Sequence, residues 1–170
     1  MMPLAGNFTS APGSKPAKHS GKTMLETIKE IIHQNDLAVL ATSHEDRPHC
    51  SLMAYVPDSD CTRIYLLTLK DSRKFANISR NPYVSLLVDT RDPHEPRKDY
   101  KALTISGTCA PADTTEQEKL KQDMVKQHPQ VKELADKPDC VLLVVNINSF
   151  LLLDGVSTAH YIELDDQTAR

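Results

Sequence analysis

Apolar residues along this 170-residue chain recur first at helical spacing and then at short, strand-like intervals. Thr23-Met24-Leu25-Glu26 has the form of a capping box, in which the threonine oxygen and the glutamate carboxylate each take an amide at a helix start. Leu25, Ile28, Ile31 and Ile32 follow on one helical face, which predicts an amphipathic helix running to Asn35. Leu37–Thr42 then reads as a strand, Ser43–Arg47 as a turn, His49–Val56 as a second strand, Pro57–Asp60 as a turn and Thr62–Leu69 as a third strand. A short helix over Ser72–Arg80 stops at Asn81-Pro82, because proline disfavours helical geometry in the residue before it. Tyr83–Asp89 is another apolar strand. The segment from Thr90 to Asp99 carries prolines and charges and reads as a solvated loop.

Leu103–Cys109 alternates and includes Gly107. Asp113-Thr114-Thr115-Glu116 repeats the capping pattern and opens a helix with Leu120, Met124 and Val125 turned inward. His128-Pro129 interrupts that helix and Pro138 ends the region. Cys140–Ile147 and Phe150–Leu153 read as two closing strands around Asn148-Ser149. Six or seven short strands with two or three helices predict a mainly β (α+β) fold, an antiparallel barrel with peripheral helices.

Composition narrows the class. With 39% apolar and 25% charged residues, the chain has ordinary globular usage, and its length suits one hydrophobic core. Residues 1–22, rich in Pro, Gly, Ser and Lys without an apolar period, are expected to be a flexible tail. Residues 23–164 are expected to form one domain, and 165–170 to fray. A net charge of −3 gives no global basic field for nucleic acid or an anionic membrane. No apolar run reaches the ~18 residues of a membrane helix, and no basic-then-apolar leader opens the chain. These features predict a cytoplasmic protein.

Cys50, Cys61, Cys109 and Cys140 contain no C-x-x-C pair, which argues against a zinc knuckle or thioredoxin-like motif. The histidines show neither H-x-x-x-H nor H-E-x-x-H spacing, so no metal site is expected. His44 and His49 flank a turn and could face one site, but paired exposed histidines are more often solvated. Asn7-Phe8-Thr9 and Asn77-Ile78-Ser79 match the glycosylation pattern and are read as chance. No G-x-G-x-x-G or P-loop is present.

The run from Ile64 to Val88, with Leu67-Thr68 at a strand end, Ser72-Arg73-Lys74 opening a helix, Asn81-Pro82, and then Val84-Ser85-Leu86-Leu87-Val88, resembles the centre of the pyridoxamine 5′-phosphate oxidase-like family. Leu37–Thr42, Arg47-Pro48 and Leu52–Tyr55 are similar to its first two strands. The resemblance implies a split β-barrel and a homodimer with FMN across the subunit interface. By that likeness Arg73 and Lys74 fall on the phosphate-binding pair, and Leu67 and Thr68 on the strand end that contacts the cofactor. Ser51, Leu52, Met53 and Ala54 fall on the strand along the isoalloxazine ring. Two departures stand out. Ala102 occupies the place of a flavin-contacting glutamine, and the oxidase's C-terminal substrate segment, with its tryptophan and arginines, has no counterpart. Oxidation of vitamin B6 is therefore not expected.

The chemistry is consistent with that assignment. A phosphate monoester carries roughly two negative charges and calls for cations and donors together. Arg73 offers a planar fork, Lys74 a mobile point charge, Ser72 a cap or donor, and Thr68 a donor. Taken alone, Arg73-Lys74 would be two solvated charges; the strand–Thr–Ser-Arg-Lys–helix setting points to phosphate. Leu52, Met53 and Ala54 could pack on a flavin ring or serve as core. Tyr55 and Tyr83 read as partly buried strand tyrosines. No general acid or base stands out. The sequence thus predicts an FMN-dependent oxidoreductase on an unidentified small substrate. The alternatives are a non-catalytic flavin or electron carrier, and a relative holding haem or the deazaflavin F420; the lone His160 near the C-terminus is weak evidence for haem.

Overall fold

The computed structural model describes residues 22–91, 100–113, 115, 117–155 and 157–164. The expected N-terminal tail and the frayed C-terminus, apart from Lys22, lie outside these residues, as do most of the charged loop and half of the second capping pattern.

Helix α1, Met24–Gln34, starts as the sequence predicts. The Thr23 amide donates to Glu26 Oε2 at 2.6 Å and the Glu26 amide to Thr23 Oγ1 at 3.2 Å. Those bonds hold the Glu26 carboxyl below its usual range. Seven strands follow: β1 Leu37–His44, β2 Arg47–Pro57, β3 Arg63–Leu69, β4 Tyr83–Asp89, β5 Lys101–Pro111, β6 Cys140–Asp154 and β7 Thr158–Glu163. Between β3 and β4 lies helix α2, Arg73–Ile78. Between β5 and β6 lie α3, Gln117–Gln127, a 3₁₀ turn at Pro129–Val131, and α4, Lys132–Ala135.

The strands are ordered β3-β2-β1-β4-β5-β6-β7, with β3 also paired to β6, so six antiparallel strands close a split barrel. Strand β6 achieves this by dividing one edge. Its first half, Cys140–Asn146, pairs with β3, and Ser149–Asp154 pairs with β7. The sequence pattern divides this strand in two at Asn148-Ser149. The polar pair makes no turn, because the register slips there between Ser106 and Gly107 on β5 and the extra residue is absorbed as a bulge. The seventh strand instead comes from Thr158–Glu163, whose exposed edge positions carry little apolar signal.

The barrel interior holds Leu40, Tyr55, Ile64, Leu86, Ile105 and Phe150, each at most 1% exposed. Helix α1 packs Ile28, Ile31 and Ile32 into this cluster, and the Tyr55 hydroxyl donates to the Ile32 carbonyl at 2.8 Å. Burying an isoleucine contributes about 1.5–3 kcal/mol, so these three side chains anchor α1. Asn77 is buried, donating to Thr42 Oγ1 at 3.1 Å, which is incompatible with glycosylation of the folded chain.

A second cluster lies on the outer side of β3 and early β6, where Leu67, Leu142, Met124 and Cys140 pack with Leu120, Val131 and Leu134. Helices α3 and α4 roof only this part of the sheet. Across the rest, the registers align an outward row Leu52–Val39–Leu87–Thr104–Leu151–Tyr161. Leu52 is 68%, Leu87 40% and Tyr161 63% exposed.

Burial also sets the thiol chemistry. Cys61 is pushed up to about 11 and Cys109 to about 12 from a usual 9.0, and Cys140 is raised too, in each case chiefly by burial. A thiol held protonated in the fold stabilises it fully below the unfolded value and loses that contribution as pH rises toward the folded one. The urea midpoint should therefore hold up to about pH 9 and fall from there toward pH 11–12. Unfolding curves across that interval test this, and Cys109→Ala should show a shallower decline.

Candidate functional site

The site grows from the turn that links β3 to α2. Thr68, near the end of β3, is 2% exposed, and its Oγ1 lies 2.9 Å from Ser72 Oγ. Ser72 is the N-cap of α2 and accepts from the Phe75 amide at 3.3 Å. The turn is closed by backbone bonds from Lys70 to Asp139 and from Ser72 to Leu69. Asn77 ties α2 to Thr42 of β1, and Asn81 Nδ2 donates to the Ser43 carbonyl and hydroxyl at 3.2 and 3.1 Å. The two hydroxyls and the first turn of α2 thus stand in fixed positions relative to the sheet.

Beside them lies a cavity of about 310 Å³, within the size range of small-molecule sites. Seven of the nine residues singled out from sequence line it: Leu52, Met53 and Ala54 from β2, Leu67 and Thr68 from β3, and Ser72 and Lys74 from the start of α2. The other two stand apart. Arg73 is exposed and outside the lining. Ser51 lies on the inward side of β2, opposite Leu40, with its Oγ 3.3 Å from His49 Nε2.

The sequence reading missed Leu69 and the roof residues Met124, Val131 and Leu134. Met124 was legible as an inward position, but nothing in an apolar helical stripe separates a ligand contact from core packing. Val125, expected inward beside it, is half-buried and faces a groove between α3 and α4.

The lining divides by chemistry. One end offers the Thr68 and Ser72 hydroxyls and the Lys74 ammonium; the remainder is aliphatic or thioether surface. Such a site suits an amphiphilic ligand with an anionic end and an apolar body. It contains no histidine. His160 on β7 sits opposite Leu152, and His44 pairs with Glu45 at 3.7 Å. Among the described residues no cluster of three or more metal-ligating side chains occurs, and no helix is long and apolar enough to cross a membrane. Tyr55 is wholly interior, whereas Tyr83 is 72% exposed. Tyr83 lines a separate, shallower groove of about 510 Å³ with Ala41, Pro48, Ser85 and Ser106.

Comparison with known proteins agrees with this architecture. A pyridoxamine 5′-phosphate oxidase homologue of Schizosaccharomyces pombe is 42% identical over 71 residues, a match covering 36% of each chain. Among solved structures, a haem binding protein from Mycobacterium smegmatis superposes with a TM-score of 0.74 at 15% identity, covering 85% of this chain and 60% of that one. A putative pyridoxamine 5′-phosphate oxidase from Listeria innocua gives 0.63 at 22% identity, covering 77% and 98%. The haem storage protein HutZ from Vibrio cholerae gives 0.62 at 21% identity, covering 75% and 92%. At these identities the structural likenesses establish the fold. The family model for pyridoxamine 5′-phosphate oxidase matches residues 24–154, spanning α1 to the end of β6, and by that match the chain belongs to the pyridoxamine 5′-phosphate oxidase family.

Proposed function

We propose that this protein binds FMN in the cavity between β2, β3 and the start of α2, and serves as an oxidoreductase on a small substrate. The observation that carries the reading is the convergence of Thr68, Ser72 and Lys74 at one end of an otherwise apolar cavity. Lys74 and the two hydroxyls hold the phosphate, while Leu52, Met53 and Ala54 pack along the ring. Arg73, one residue before Lys74 and exposed, supplies a second, screened cation to the approaching phosphate. When bound, FMN supplies the electron and hydride transfer; the chain's part is to bind it, orient it and limit water at its ring. The four cysteines are free, which suits the reducing cytoplasm we assign to it.

Leu52, which lines the cavity, is itself exposed and begins the uncovered apolar row. We propose that a second copy of the chain covers this row about a two-fold axis and completes the flavin site. A stable interface of this kind buries about 800 Å² per partner, which a row six strands wide can provide. Leu87 lies two strands from the cavity and is absent from its lining. Leu87→Asp should therefore halve the mass seen by light scattering and weaken FMN binding together. Loss of the dimer with full retention of FMN affinity would defeat the shared site.

A second reading, haem in place of flavin, is favoured by the names of the M. smegmatis and V. cholerae structural neighbours. It is disfavoured by the lining, which offers no imidazole for the iron.

A further inference from the structure

His128 is 3% exposed at the joint between α3 and the 3₁₀ turn. Its amide donates to the Met124 carbonyl at 2.8 Å, and its own carbonyl accepts from the Val131 amide at 3.0 Å. Met124 and Val131 both face the candidate cavity. On the ring, Nε2 lies 3.0 Å from the Tyr55 carbonyl, the residue following the cavity strand Leu52–Ala54. A carbonyl only accepts, so Nε2 carries a hydrogen and a neutral ring leaves Nδ1 as a bare acceptor. Nδ1 is buried and has no hydrogen-bond partner. Facing it at 3.8 Å is Asp36 Oδ2, from a carboxylate 69% exposed to solvent. Asp36 is itself held in place, its carbonyl accepting from the Tyr55 amide at 3.1 Å.

We propose that His128 is a proton-operated latch for the helical roof of this cavity. With the ring neutral, two acceptors face each other and one buried lone pair is unsatisfied. One proton added at Nδ1 replaces the bare lone pair with an N–H⁺ 3.8 Å from a carboxylate, so two facing acceptors become an ion pair, while Nε2–H keeps its bond to Tyr55. The groups facing the imidazole are the Tyr55 carbonyl from β2 and the Asp36 carboxylate from the α1–β1 connection. The Tyr55 hydroxyl is engaged with Ile32 and, through burial, is shifted well above its usual range. Histidine is the side chain whose ordinary titration spans pH 5–8. A proton favours the closed roof, and that preference is lost as pH rises and the proton leaves. The latch deepens the flavin reading only through what the roof covers.

The test is amide hydrogen exchange in the full chain without ligand, at pH 5.5 and pH 8, expressed as protection factors to remove intrinsic pH dependence. Protection of residues 117–135, relative to the barrel strands, should be about threefold or more higher at pH 5.5. Asp36→Asn removes the carboxylate opposite Nδ1, and His128→Gln keeps a donor toward Tyr55 without a titrating ring, so both should lose the higher protection at pH 5.5. The phosphate's own second ionisation changes FMN release with pH in all three proteins, so the roof's share is the extra slowing at pH 5.5 that the wild type shows relative to both variants. Equal roof protection at the two pH values, or the same pH response in Asp36→Asn, overturns the latch. A pH-dependent roof in a protein that ignores FMN would keep the latch and remove the flavin reading.

Discussion

Replacing Lys74 with alanine is expected to weaken FMN binding by roughly 10- to 100-fold, because a charge-assisted hydrogen bond contributes about 1.5–3 kcal/mol. Lys74 is the cation among the cavity's lining residues, half-buried beside Ser72. Riboflavin has the same ring without the phosphate, so its affinity should be nearly unchanged in Lys74→Ala, and the wild-type preference for FMN should largely vanish. Arg73→Ala should act in the same direction with a smaller effect, because Arg73 is exposed and outside the lining and its field is screened by salt. Titrating both flavins into each protein at low and high ionic strength separates the two residues. Equal effects would mean that Arg73 reaches the phosphate as directly as Lys74 does.

Gly107→Ala should destabilise the fold by about 3 kcal/mol, at the upper end of the usual cost of overpacking. A Cβ at this position would lie 2.3 Å from the Asn146 carbonyl oxygen and 3.0 Å from Val145 Cγ1. Asn146 cannot yield easily, since it is paired to Arg63 on one side and Thr108 on the other. Gly155 provides the contrast. Its φ of +67° is left-handed, but nothing lies within 4 Å of a Cβ there. Gly155→Ala should therefore cost only the backbone term, about 1 kcal/mol. Urea unfolding of the two variants distinguishes steric closure of the barrel from local turn strain.

These glycines mark where the sequence was and was not readable. Local signals carried the fold well. The Thr23–Glu26 box, the Ile28/Ile31/Ile32 stripe and the Asn81-Pro82 stop each depend on neighbours a few residues away, and each appears in the structure where expected. Strand β6 was misread because Asn148-Ser149 resembles a turn, and only the opposite strand, with its slip at Ser106/Gly107, shows that the chain runs straight through. Strand β7 escaped because an edge strand with exposed Thr158, Ala159 and Tyr161 has little to distinguish it from a loop.

The site divides along the same line. Leu52–Ala54, Leu67, Thr68, Ser72 and Lys74 were placed by resemblance to a family pattern, and the barrel brings them to one cavity. Ser51 shares the inward face of β2 with Met53 but lies outside the lining, a difference set by position along the strand that no local pattern encodes. The roof residues Met124, Val131 and Leu134 reach the cavity by long-range packing that no local pattern encodes. The pairing of His128 with Tyr55 spans 73 positions.

The most direct test of the central claim is the visible absorption spectrum of the purified, untagged protein, before and after reconstitution with FMN, with any released chromophore identified by chromatography. The account predicts the double absorption band of an oxidised flavin and one FMN per chain. A Soret band from haem, or a protein still colourless after incubation with FMN, would contradict it.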